Sequence, residues 1–162
     1  MADFEDPQLA LFYNLDGRSF SSSFQVEFHY ELLRKLELRM AWRHYEVKNT
    51  YRNTLLEQPL LARNRAFLNL AWEVGRWKLD YTLNSIGSKR IPSTSANPPE
   101  FQLAQRSPSY YLMNAQVSRT VGKKKLVELY LGGENLTNFF QRDLILSPDQ
   151  PFGQYFDASL VW

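Results

Sequence analysis

Residues 24–32 read Phe24-Gln25-Val26-Glu27-Phe28-His29-Tyr30-Glu31-Leu32, with an apolar side chain at every even position and a polar one at each odd position after Phe24. A period of two puts the apolar set on one face of an extended strand and the polar set on the other. A helix would need apolar residues three and four apart. The alternation recurs outward from this stretch. Leu36, Leu38, Met40 and Trp42 oppose Glu37, Arg39 and Arg43; Ala66, Leu68, Leu70, Trp72 and Val74 oppose Asn69 and Glu73. Trp77, Leu79, Tyr81 and Leu83 oppose Lys78, Asp80, Thr82 and Asn84.

Later segments belong to the same class. Tyr111, Met113, Ala115, Val117 and Val121 oppose Asn114, Gln116 and Ser118. Val127, Leu129 and Leu131 oppose Glu128, with Leu126 and Tyr130 blurring the second face, and Phe156, Ala158, Leu160 and Trp162 oppose Asp157 and Ser159. A weaker opening strand runs from about Gln8 to Asn14, with a reversal expected at Asn14-Leu15-Asp16-Gly17. The reading is an all-β chain, an antiparallel up-and-down meander of about eight strands.

The connections alternate in length. Arg34-Lys35, Gly75-Arg76 and Gly122 to Lys124 are tight turns, Gly75 suiting the first central place of a type II′ hairpin. Between them lie long connections, Glu46 to Arg63, Gly87 to Ser109 and Glu134 to Gln154, the second rich in Pro, Ser and Asn. Consecutive turns of a meander fall at opposite ends, so one end carries tight turns and the other long loops. Outer-membrane barrels have that asymmetry, and so do soluble barrels with an open ligand mouth. Period alone leaves open which face is wet: lipid covers the apolar face in a membrane barrel, whereas a soluble barrel turns that face inward. Trp42, Tyr45, Trp72 and Trp77 fall near strand ends, as an interface girdle requires.

Composition narrows the function classes. Aromatic residues make up 15% of the 162, and the net charge of +2 is too small to argue for nucleic acid. The Lys123-Lys124-Lys125 triplet sits on an expected turn and reads as a solvated hairpin tip. Without Cys there are no disulfides, thiolate metal sites or Cys nucleophiles. The opening residues lack the apolar core of a secretory signal, and no stretch approaches the length of a transmembrane helix. His29 shares a polar face with Glu27 and Glu31, which reads as a polar stripe before a metal site; His44 has no evident partner. No Ser-His-Asp order, nucleophile elbow or marked carboxylate pair emerges, so no enzyme, catalytic residue or cofactor is expected.

Leu131-Gly132-Gly133-Glu134-Asn135-Leu136-Thr137-Asn138 resembles the strand-to-loop element near the C-terminus of TonB-dependent outer-membrane receptors. Residues 151–162, from Pro151-Phe152-Gly153-Gln154-Tyr155 to Trp162, look like the approach to the penultimate strand in one large subgroup of that family. Gly87-Ser88-Lys89-Arg90-Ile91-Pro92 and the run from Ser107 to Ala115 match the same subgroup's loop and following strand. The resemblance implies a cell outer-membrane receptor with a plug domain and a barrel of about 22 strands, importing a siderophore, cobalamin, glycan or peptide with energy relayed by TonB. Residues 1–162 would then be a C-terminal portion of that barrel, lacking the plug and the final strand. Loops 46–63, 87–109 and 134–154 would face outside. Its partners would be outer-membrane lipid and, for the full-length parent, the nutrient and TonB. The alternatives are a soluble calycin-like barrel binding a small ligand and an outer-membrane structural protein without a ligand of its own. A sheet cut from a large barrel has two raw edges, so the isolated chain is expected to close as a smaller barrel, self-associate by its edges, or need detergent.

Overall fold

Alternating side chains, β-branched and aromatic residues and the tight turns fold the chain into antiparallel strands, seen in a computed structural model. It describes residues 2–6, 9–12, 14, 16–51, 53–95, 97–122, 127–142, 146–151 and 153–158. β1 (Ala2–Asp6) and β2 (Leu9–Phe12) form a hairpin of their own. The main sheet contains β3 (Ser19–Leu33), β4 (Leu36–Tyr51), β5 (Thr54–Glu57), β6 (Asn64–Val74), β7 (Trp77–Ile86), β8 (Tyr110–Val121) and β9 (Val127–Gly133). It is a single antiparallel meander of seven strands in the order β3-β4-β6-β7-β8-β9, with β5 folded back on the far end of β4. Among the described residues one 3₁₀ turn, Pro99–Phe101, is the only helical element.

The register carries each apolar set into one continuous face. One transverse row runs Phe28, Met40, Leu68, Leu83, Met113, with no polar member. The row above runs Val26, Trp42, Ala66, Ser85, Tyr111, and two rows below the first lies Leu36, Trp72, Leu79, Val117, Leu131. Val26, Phe28 and Tyr30 thus share a side, and Gln25, Glu27 and His29 share the other, as the alternation predicts.

The tight turns come where expected. Gly75 is left-handed at φ 61° and Arg76 is not, the pattern of a type II′ turn, and Lys35 takes φ 64° beside a bulge between Glu31 and Leu33. A Cβ on Gly75 would meet nothing within 4 Å, so Gly75→Ala tests conformation alone. It is expected to lower stability by about 1 kcal/mol, read from the denaturant midpoint in micelles. Gly122, at φ 84°, opens the third turn, whose Lys123-Lys124-Lys125 and Leu126 lie outside the described residues.

Four readings need correction. The connection from Glu46 to Arg63 is largely strand: β4 runs on to Tyr51 and β5 returns along it. Glu46-Val47-Lys48-Asn49-Thr50 keeps the extended backbone after its even positions turn polar, so a search for apolar alternation stops short. Gly17 does not serve a hairpin there: the opening strand pairs with β1 instead, and Gly17 (φ 136°) passes so close to Thr50 that a Cβ would lie 2.6 Å from it. Arg18 N–H donates to Thr50 Oγ1 at 2.9 Å and seals the approach. Gln8 and Leu15 lie outside the described residues. The expected last strand is, as far as Ala158, one bridge between Asp157 and Leu146; residues 159–162 lie outside the described set.

The fourth correction concerns closure. The described sheet is open, with β3 and β9 as its edges, and does not curl into a smaller barrel. Eight strands enclose a space that side chains just fill. A six-strand circuit closed over the apolar face would have to hold Trp42, Trp72, Trp77, Phe24, Phe28 and Tyr30 in a narrower one.

Candidate functional site

The buried hydrophobic residues among those described are Tyr51, Ala62, Ile91 and Leu146, and all sit at the loop end. Phe101 and Leu103 pack on Ile91 and Leu146, and Phe101 stacks on Tyr155 at 5.2 Å. The sheet's apolar face is open: Phe28 is 48% exposed, Trp42 43% and Leu131 75%. A water-soluble domain has its core against the sheet. Here it gathers at the loop end of the sheet.

The apolar face has limits. On β6 it extends from Ala66 to Val74, about 27 Å along the strand at about 3.4 Å per residue. Above it, the same side of β4 carries His44, Glu46 and Lys48. Arg119 is the one charged residue among the described members of the rows from Val26 down to Leu129, and it lies in the lowest of them. Its guanidinium sits over the Trp77 ring at 4.8 Å, an arrangement that lets a long cation lie along apolar surface with its charge at the rim. Phe24, Trp42 and Tyr111 mark the upper edge and Trp72 and Trp77 the lower. Phe24 meets Trp42 edge-on at 6.0 Å. Tyr45 leaves this girdle: it pairs with Ser23 on the polar side, where Arg43 lies over its ring at 4.6 Å.

Successive turns step along the strands. The first hairpin closes at Leu33–Leu36, in the Trp72 row; the second closes at Val74–Trp77, two residues further on. The third closes at Val121–Val127, two further again. One residue per strand is about 3.4 Å of stagger against about 4.8 Å of strand spacing, so turns set level require strands tilted by about 35°. Closed barrels have tilts of that size. At that tilt the apolar band stands about 22 Å tall, near the roughly 25 Å of an outer-membrane barrel.

No family model, curated protein or solved structure matches this chain.

The polar face is paired across strands. His29 Nε2 lies 3.4 Å from Glu37 and Arg39 reaches the same carboxylate, so His29 belongs to a polar stripe. Among the described residues no three metal-binding side chains come together. Asn69 donates to Asp80 at 3.1 Å, and Ser118 to Glu128 at 2.7 Å. His44, on the other face, does have a partner, Asn64 Oδ1 at 2.9 Å.

Charge also knits the loop end. Glu46 meets Lys48 at 2.8 Å and Arg63 at 2.7 Å; Glu57 meets Arg63 at 3.2 Å and Arg106 at 2.8 Å. These pairs tie β4 and β5 to the connection at 87–109. Lys89 is buried in that connection beneath Ser107, whose Oγ accepts from the Lys89 N–H at 3.0 Å. Burial, with the Arg65 guanidinium nearby, holds its ammonium below the ordinary lysine range.

The motif residues Gly132, Gly133, Glu134, Asn135, Leu136, Thr137 and Asn138 come together as a strand-ending clasp. Beyond Gly133 the chain stays beside β8: Asn135 N–H donates to Asn114 Oδ1 at 2.8 Å and Leu136 N–H to Met113 O at 2.7 Å. Thr137 Oγ1 donates to Tyr111 O at 2.8 Å. A Cβ on Gly133 would lie 2.8 Å from the tip of the Leu136 side chain, which would have to shift. Asn135, at φ 49°, is the hub: its side-chain oxygen accepts from Phe139 N–H at 3.1 Å and lies 3.0 Å from Thr137 Oγ1, and its amide donates to Phe139 O at 2.8 Å. The bonds of Asn135, Leu136 and Thr137 to β8 and to Phe139 make the run a structural element. Sequence reasoning missed Arg119 on Trp77 and the Glu57–Arg106 pair. A lone Arg among apolar alternates signals the first; nothing local signals the second, whose partners are 49 residues apart.

Proposed function

We propose that this chain is a wall segment of an outer-membrane β-barrel, with the apolar face against lipid and the polar face lining the lumen. The observation that carries the reading is the bounded apolar band, continuous over six strands, together with a buried core gathered at the loop end. In water such a face is an association site. Against acyl chains it needs no cover. The stagger of the turns, the aromatic rims and Arg119 at the lower rim support the same reading.

Within that class, the resemblance at residues 131–138, 87–92, 107–115 and 151–162 supports a TonB-dependent receptor. The full-length parent would then bind a scarce nutrient at its extracellular loops and import it with energy from TonB, without catalysing a reaction. The clasp at 132–138 would launch an external loop, and the loop-end core and ion pairs would hold such loops in place.

The test is insertion. Diluted from denaturant into phospholipid vesicles, the chain is expected to float with them and gain β-structure there, and to associate or precipitate without lipid or detergent. A monodisperse, folded monomer in plain buffer that ignores vesicles would favour the soluble barrel instead.

A further inference from the structure

We infer that the polar face carries, at its loop end, a binding site for a small anion bearing a carboxylate or phosphate group, held by Arg43, Arg65 and Lys89. Arg43 and Arg65 are direct cross-strand partners on β4 and β6. Like charges in that position repel and destabilise the pair. The same row continues through Ile86 to Tyr110, and Lys89 Nζ lies 5.9 Å from the Tyr110 ring. Three cations therefore converge on one corner of the face. One of them, Lys89, is 8% exposed.

Among the described residues no carboxylate pairs with any of the three. The carboxylates at that height are taken: Glu46 by Lys48 and Arg63, Glu57 by Arg63 and Arg106. On β3, Glu27 holds the Gln25 amide. The excess is thus local, in a chain whose overall charge is only +2. Two adjacent guanidinium forks suit a carboxylate or phosphate, and an ammonium adds a point charge behind them. Tyr45 lies against Arg43 at 4.6 Å, and Tyr110 is braced by Phe139 stacked at 4.2 Å, so two aromatic rings frame the corner.

The site rests on the barrel reading for its access to an aqueous lumen. Calorimetric titration of the full chain in detergent micelles, with inorganic phosphate and with succinate, tests it against chloride at matched ionic strength. At least one of the two is expected to bind saturably, and the preferred one tells phosphate from carboxylate chemistry. Arg65→Gln and Lys89→Met should each weaken binding at least tenfold, and Arg76→Gln, at the opposite turn, should not. Arg43→Gln separates binding from structure: removing the repulsion should raise the melting temperature of the unliganded chain while weakening the anion at least tenfold. Binding no tighter than chloride, equal binding in the variants, or an Arg43→Gln chain that melts lower would overturn the site. Vesicle insertion is measured separately. Insertion without anion binding sinks this site alone, and anion binding without insertion sinks the barrel reading alone.

Discussion

Leu68→Arg is expected to cost about 2–4 kcal/mol of folding stability in lipid, the penalty for a cation at the bilayer midplane of a barrel wall. Leu68 stands in the middle row, between Met40 and Leu83. Val74→Arg, on the same strand face beside the turn, should cost only about 0–1 kcal/mol, because its guanidinium reaches the interface. Gln116→Arg, on the exposed polar face beside Asp80, should stay within about 0.5 kcal/mol of the parent. Denaturant titration of the three variants in vesicles checks this. A soluble core has no interface to which position 74 could escape, so equal losses at Leu68 and Val74 would speak against lipid.

Asn135→Ala should cost about 2–3 kcal/mol at the clasp. Its side chain makes two hydrogen bonds to Phe139, each worth roughly 1 kcal/mol, and alanine at a left-handed φ adds about 1 more. Asn135→Gly keeps the backbone free and should recover the last part only. Hydrogen exchange at the Leu136 and Asn138 amides, which bond Met113 O and Asn135 O, should speed up strongly in the alanine variant. Unchanged exchange there would mean that the clasp is held by β8 without Asn135.

The fold was legible where one face is apolar and its neighbour is charged, as from Phe24 to Leu32 and from Trp77 to Asn84. Period two states facing directly, and two-residue turns fix register, so the rows follow from counting. It failed where alternation became polar on both faces. Glu46 to Tyr51 is as extended as the stretch before it, but backbone pairing with β5 and the ion pairs of Glu46 and Glu57 replace the apolar signal. Tyr45 was assigned to the wrong face because closeness to a strand end, and not its odd position, guided the reading. Gly132 to Asn138 stood out as a motif, while its job as a clasp on β8 depended on Tyr111, Met113 and Asn114, some twenty residues back. Arg43 and Arg65 looked like ordinary polar alternates, and only the register brings them opposite each other.

The central claim is that the even positions of β6 face lipid and the odd ones face water. The sequence has no Cys, so single cysteines introduced one at a time from position 66 to 74 can each carry a nitroxide label without background. In vesicles, collision with oxygen, which concentrates in hydrocarbon, is compared with collision with a water-soluble nickel chelate. The account predicts a strict alternation: oxygen-rich contact at 66, 68, 70, 72 and 74, deepest near 68 and 70, and chelate contact at 67, 69, 71 and 73. Chelate contact at the even positions, or no contact with either reagent there because they are packed inside protein, would contradict it.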